Sequence, residues 1–198
     1  MKIILASASP RRKEMMFKFA EQLGFDIEIV TADVDENIDG AKYPFCGVRE
    51  LAVRKGAPVA EKYPDLPVLS ADTLVELDGT ALGKPCDKKD AEAMLRSLSG
   101  RGHNVHTGVA LHYKGQLFSG VGSTEVLFRE IEDSELYEYV ESGEPMDKAG
   151  AYGIQGYAGR FVLGYNGDFD TVVGLSMALV KKLFCEAGII TPSEGIDD

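Results

Sequence analysis

Two strand-length runs, NVHTGVALHY and QLFSGVGSTEVLF, flank the dipeptide Lys114-Gly115. β-branched and aromatic residues recur through both, and a short glycine-containing break is what a tight hairpin turn requires. The pair reads as one long antiparallel hairpin whose internal glycines mark bends or bulges. Every other segment has to be placed around it.

Those other segments mix strand and helix patterns. Lys2 to Ala6 reads as a buried strand, and Pro10 to Leu23 as a helix in which Met15, Met16, Phe19 and Leu23 share an apolar face. Ser9 is the expected N-cap, Pro10 takes the first helical position, and Gly24 ends the helix. Asp26 to Thr31 alternates as a strand and leads into the acidic loop ADVDENIDG. A second helix is expected over Gly47 to Tyr63, although Gly56 and Pro58 are poor interior residues and the proline should kink or restart it. Pro67 to Leu77 reads as a strand that turns at Asp78-Gly79, with TALGKP returning beside it. Helices fit Asp87 to Leu98, Asp133 to Glu141 and Thr171 to Ala187, with a glycine-dense loop, EPMDKAGAYGIQGYAGR, and the short strand FVLGY between the last two. No repeat or low-complexity linker divides the 198 residues, and 44% hydrophobic content supplies a substantial core. The expected fold class is therefore α/β in the mixed α+β sense, a single domain over residues 1–198 in which helices flank a twisted sheet.

The formal net charge of -11 argues against generic binding to nucleic acid or to anionic membranes. An anionic ligand has to be met in a focused cleft. Cys46, Cys86 and Cys185 are odd in number and show no CxxC spacing, which points to reduced thiols and a cytoplasmic location rather than a disulfide framework. The apolar run at the start is broken by Arg11 and Arg12 and is too short for a secretory signal. No stretch approaches the roughly 20 apolar residues of a membrane span.

Against that acidic background, SASPRRKEMM gathers cations behind a hydroxyl-rich turn that includes Ser7. A helix N-terminus attracts phosphate and arginine adds bidentate donors, although a charge run alone is more often a solvated face. Asp72 lies in an apolar run, SADTLVEL, where a carboxylate needs a metal, a cation or several donors, or else caps a neighbouring loop. Lys84 sits on a constrained turn between Gly83 and Pro85, within reach of a polyphosphate or simply exposed. Asp33, Asp35 and Glu36 form an oxygen-rich cluster of the kind that suits magnesium, and Lys55 in the following helix leans toward a ligand or into water. Gly150, Gly153, Gly156 and Gly159 permit close backbone approach, and Gln155 among them carries an amide able to pair with a base edge. His103, His106 and His112 lack a helical metal-ligand spacing.

In combination these stretches resemble the Maf family of nucleotide pyrophosphatases, also called septum formation inhibitor Maf. The resemblance is carried by LASASPRRKEMM, VDEN, AVRKGA, SADTLVELDGTALGKP, LSGRGHNVHTGV, EPMDKAGAYGIQG and GDFDTVVGLS, in the family's order and over nearly the whole chain. The GAYGIQG form resembles the branch acting on dTTP and UTP. The resemblance implies an elongated fold shared with inosine triphosphate pyrophosphatases, with two lobes around a central cleft. It also implies hydrolysis between the α and β phosphates with a divalent cation, magnesium or manganese, and a homodimer. Residue by residue it implies Asp72 as proton acceptor and metal ligand, with Asp35 and Glu36 near the metal. Ser7, Arg12, Lys55 and Lys84 face the phosphates, and Arg11, Thr73 and Gln155 select the base. Two positions depart from the family pattern: Pro58, where a helix usually continues, and Ser176, where the proline of GLP usually stands. A nucleotide-binding regulator of cell division with incidental turnover is the alternative, disfavoured because a sensor has no need of Asp72 in addition to its cations.

Overall fold

The computed structural model describes residues 1–35 and 44–192. Its elements are β1 (Lys2–Leu5), α1 (Pro10–Leu23), β2 (Asp26–Ile29), α2 (Pro44–Lys62), β3 (Val68–Leu77), β4 (Thr80–Leu82), α3 (Lys88–Leu98), β5 (Gly102–Tyr113), β6 (Gln116–Phe128), α4 (Asp133–Glu141), β7 (Val162–Asn166), α5 (Phe169–Val173) and α6 (Met177–Glu186). Short 3-10 turns at Glu144–Asp147, Ala149–Ala151 and Tyr157–Phe161 join α4 to β7. No described helix is long and apolar enough to cross a membrane.

The hairpin organises a mixed seven-stranded sheet of order β2-β1-β3-β5-β6-β7, with β4 also paired to β3. Lys114 and Gly115 both have positive φ, 50° and 71°, as do Asp78 and Gly79, 51° and 79°. Paired left-handed residues let a two-residue turn follow the natural twist of its strands. The hairpin glycines, however, are not bends or bulges. Pairing runs in register from Gly102↔Leu127 to Tyr113↔Gln116, and the glycines mark close approach instead. A Cβ on Gly122 would lie 2.7 Å from Thr171 Oγ1, and one on Gly108 would lie 2.4 Å from the Val48 carbonyl oxygen.

Strand β3 divides the molecule. Successive side chains point to opposite faces. Leu69 and Ala71 join one core with Met16, Leu111 and Phe184 under α1 and α6. Val75 and Leu77 join a second core with Leu95, Phe128 and Tyr139 under α3 and α4. Thr73 lies between and belongs to neither. The alternate side chains meet α2: Val68 packs with Val59, and Ser70 Oγ donates to the Ala52 carbonyl at 2.7 Å. Along one edge, β5 pairs with β3 from Val68 to Glu76. Along the other, β1 covers Val68 and Leu69 and β4 covers Val75 to Leu77. Among the described residues no strand covers 70–74 on that second edge, and the cleft between the two lobes opens there.

Several local expectations change. Helix α2 begins at Pro44 rather than Gly47 and runs unbroken through Pro58. Pro58 forgoes one helical bond, while the sheet anchors the preceding turn: His112 Nε2–H donates to the Val53 carbonyl at 3.3 Å. Gly56 suits this helix because a Cβ there would meet Ser70 Oγ at 2.5 Å. Ser9 occupies the N-cap position of α1 but makes no side-chain cap bond; its N–H donates to Ser7 Oγ at 3.3 Å. The single helix expected over Thr171 to Ala187 is two helices, separated at Gly174, whose φ is 125°.

Ser176 explains part of that break. It caps α6 by accepting the Leu179 N–H at 3.3 Å, and its hydroxyl donates to Asp168 Oδ2 at 3.0 Å. Replacing an N-cap hydroxyl typically costs about 1 kcal/mol. Ser176→Ala should therefore lower the urea midpoint by the equivalent of about 1 kcal/mol, and an unchanged midpoint would deny the cap its role.

The second core encloses His103, which is 3% exposed and pairs through Nε2 with the Tyr152 hydroxyl at 2.8 Å. Burial pulls its pKa down to about 4 from the ordinary 6.5. The unfolded chain then takes up a proton as pH falls below 6.5 while the folded chain does not until about 4. Stability from a neutral His103 is thus present above 6.5 and is lost between 6.5 and 4. Urea unfolding of wild type and His103→Gln at pH 7 and pH 5 should show the wild-type advantage shrinking by about 2 kcal/mol at the lower pH. A pH-independent difference would mean that His103 does not carry this acid sensitivity.

Candidate active site

The cleft has a volume of about 830 Å³. The turn before α1, the middle of β3, the link after β4, the 3-10 turns and the end of α5 all contribute walls. Ser7, Arg11, Arg12, Lys55, Asp72, Thr73, Lys84 and Gln155 line it together. Asp35 does not. Its carbonyl accepts from Arg54 Nη1 at 3.0 Å, and its side chain is exposed. Asp33 is likewise exposed and outside the lining. Glu36 lies outside the described residues.

Asp72 follows from the alternation of β3, which points it toward α2. Lys55 Nζ donates to Asp72 Oδ1 at 2.6 Å, with the two side chains 17% and 13% exposed. A cation thus meets a carboxylate that an apolar strand would otherwise not tolerate. The departure at Pro58 has not turned Lys55 away from the cleft.

Thr73 projects from the opposite face, at the seam between the two cores, into a polar chain. Arg12 Nη2 donates to Thr73 Oγ1 at 3.0 Å. Thr73 and Thr107 hydroxyls lie 2.9 Å apart, and Thr107 donates onward to the Thr171 carbonyl at 2.7 Å. Because Thr107 spends its one proton on that carbonyl, Thr73 is the donor between the two hydroxyls. Arg12 also donates through Nη1 to the Ala71 carbonyl at 2.7 Å and through Nε to the Gly174 carbonyl at 2.8 Å. Arg11 Nε reaches the Val173 carbonyl at 3.3 Å. Both arginines therefore bind carbonyls at the C-terminal end of α5, where a cation is favoured. These bonds join the SPRR and DTVVG stretches across 162 residues.

The third wall, residues 144–156, holds residues that sequence reasoning passed over. Lys148 Nζ donates to the Glu144 carbonyl at 2.5 Å and to Asp147 Oδ1 at 2.7 Å. That second bond holds the Asp147 carboxyl below its usual range, with a smaller contribution from the Arg11 charge. Glu144, Lys148 and Tyr152 line the cleft. The charged residues of EPMDKAG were visible in the sequence, but nothing in their spacing distinguishes a cleft wall from a solvated loop.

Among the described residues no group of three or more His, Cys, Asp or Glu side chains could hold a metal ion. Asp72 alone offers a cleft-facing carboxylate on β3. Magnesium typically takes one or two protein carboxylates, with substrate phosphates and water completing its shell, so a hard-oxygen donor of this kind fits a cation held jointly with a nucleotide.

The family described as "Maf-like protein" matches residues 2–187. A dTTP/UTP pyrophosphatase of Thermococcus gammatolerans is 44% identical, covering 91% of this chain and 94% of that protein. One from Dechloromonas aromatica is 44% identical over 95% and 98% of the two chains, and one from Bacillus anthracis 45% over 92% and 94%. A crystal structure of a nucleoside-triphosphatase (dITP/XTP pyrophosphatase) from Mycobacterium abscessus aligns over 66% of this chain and 74% of that one, at 16% identity and a TM-score of 0.45. That last likeness is too slight to bear on the fold, which stands on the sheet and cleft themselves. The match over residues 2–187, with relatives this similar over almost their full length, places the chain in the Maf family.

Proposed function

We propose that the chain hydrolyses dTTP and UTP between the α and β phosphates, giving a nucleoside monophosphate and pyrophosphate. The observation that carries the reading is the Lys55–Asp72 pair, placed on the uncovered edge of β3 and inside a cleft whose other walls bear Arg11, Arg12 and Lys84. A triphosphate carries about four negative charges, and its cleavage moves charge toward the departing pyrophosphate, where pre-positioned cations act most strongly. Asp72 takes a proton from the attacking water. Lys55 fixes the orientation of that carboxylate, while Lys84 and the first turn of α1 receive phosphate oxygens. Arg12 braces the seam through Ala71, Thr73 and Gly174, so that the phosphate and base ends of the cleft keep one geometry.

Asp72 is also the residue that would hold a divalent metal, without Asp35, which is exposed and outside the cleft lining. When bound, magnesium or manganese would neutralise charge developing on the phosphates. Gln155, exposed on its turn within the cleft, offers an acceptor and two donors to the imide edge of thymine or uracil. Arg11 and Thr73 line the same cleft and tune the same pocket. We place the protein in the cytoplasm, where its nucleotide substrates are made, and expect a homodimer. Light scattering that gives a monomer mass at micromolar concentration would end the dimer reading.

The function is tested by phosphate release over the common nucleoside triphosphates, with and without added inorganic pyrophosphatase. Orthophosphate should appear only with the second enzyme, and most readily from dTTP and UTP. Orthophosphate released without it would place the cleavage elsewhere in the triphosphate.

A further inference from the structure

Gln155 is exposed and occupies a turn between two glycines, so the orientation of its amide depends on how the backbone of that turn is held. Two side chains hold it. The Lys148 stem lies under Gly153, where a Cβ would come within 2.8 Å of Lys148 Cε. The Glu144 carboxylate lies against Gly156, where a Cβ would come within 2.0 Å of Glu144 Oε1. Glu144 Oε2 also accepts the Tyr157 N–H in a long contact of 3.5 Å. The Lys148 ammonium closes the arrangement on the Glu144 carbonyl at 2.5 Å, and the turn is closed by the Gly156 N–H to the Gly153 carbonyl at 3.1 Å.

We propose that Lys148 and Glu144 are positioning residues for base discrimination, which set the pose of Gln155 through the glycines on either side of it. The inference rests on the reading that Gln155 pairs with the base. Lys148 is not assigned to the phosphates: its ammonium is spent on the Glu144 carbonyl and the Asp147 carboxylate, with its side chain 12% exposed. A site that reads a base by hydrogen bonds loses selectivity when its amide is displaced, even though substrate still binds by its phosphates.

The test compares catalytic efficiencies on dTTP and CTP, together with binding of inorganic tripolyphosphate, which reports the phosphate subsite alone. Lys148→Met keeps most of the stem and removes the ammonium. It should lower the dTTP preference about tenfold while tripolyphosphate affinity stays within about twofold. Glu144→Ala, which leaves Lys148 in place, should act in the same direction and serves if the first variant does not fold. In a Gln155→Ala background, Lys148→Met should change the preference by less than about twofold, because a residue acting through another adds nothing once that other is gone. Additive losses, or a dTTP preference unchanged in both single variants while Gln155→Ala abolishes it, would overturn the positioning role and leave base reading by Gln155 intact. A fall in tripolyphosphate affinity equal to the fall in dTTP efficiency would make Lys148 a phosphate ligand instead. If Gln155→Ala itself leaves the preference unchanged, base reading by that residue fails and the positioning role fails with it.

Discussion

Asp72→Asn should leave a folded protein that binds nucleotide and turns it over about two to four orders of magnitude more slowly. The substitution preserves shape, and the asparagine carbonyl can still accept from Lys55, whose ammonium lies 2.6 Å from Asp72 Oδ1. What it removes is the negative charge, and with it the ability to take a proton from water and to hold a divalent metal. Asp72→Ala is a poorer test, because it strips Lys55 of that acceptor and loosens α2 from the strand. The thermal midpoint and tripolyphosphate affinity of the asparagine variant should therefore lie near wild type, with the loss confined to kcat. Near-normal turnover would remove Asp72 from the mechanism. A collapse in stability would show that the carboxylate serves the fold before the chemistry.

Much of the site was legible because its parts lie on strongly patterned segments. Asp72 stood out as a carboxylate within an apolar strand, and alternation along β3 then decides which side it faces. The two-residue turns at Asp78-Gly79 and Lys114-Gly115 were equally readable, since glycine and a tolerant partner meet the demand for positive φ. The division of α5 from α6 was not. Thr171, Val172, Val173 and Leu175 continue an apolar helical pattern across Gly174, and the break comes from side-chain bonds: Asp168 gathers the hydroxyls of Thr171 and Ser176, and the two arginines in the first turn of α1 take the Val173 and Gly174 carbonyls. The hairpin glycines are plain in the sequence but their role is not, because a glycine beside a bulge and a glycine beneath a helix look alike until the partner is in place. Lys148 and Glu144 were hidden for a different reason: their role depends on which backbone atoms fold back over them, and local spacing carries no trace of that.

Gly108→Ala should cost about 1 to 3 kcal/mol of stability and, through the same displacement, about a hundredfold in catalytic efficiency. Gly108 pairs directly with Asp72 across β3 and β5 and shares its face of the sheet. The first turns of α2 rest on it: a Cβ at Gly108 would lie 2.4 Å from the Val48 carbonyl oxygen, 2.7 Å from its carbon and 2.9 Å from Arg49 Cα. These are backbone atoms, and no rotamer change relieves them. The helix has to lift by about 1 Å to restore ordinary contact, a misplacement of the size that misaligns catalytic groups. Lys55 rides on that helix about two turns further along, so lifting it draws the ammonium from the Asp72 carboxylate. Gly164→Ala in β7 is the matched control, since nothing lies within 4 Å of a Cβ there and alanine reduces the freedom of the unfolded chain. Urea midpoints and dTTP kinetics on both variants decide the matter. If Gly108→Ala behaves like Gly164→Ala, the close seating of α2 on the sheet is not what brings Lys55 to Asp72. If stability falls while kcat/KM holds, the helix tilts about its far end and the catalytic pair tolerates the strain.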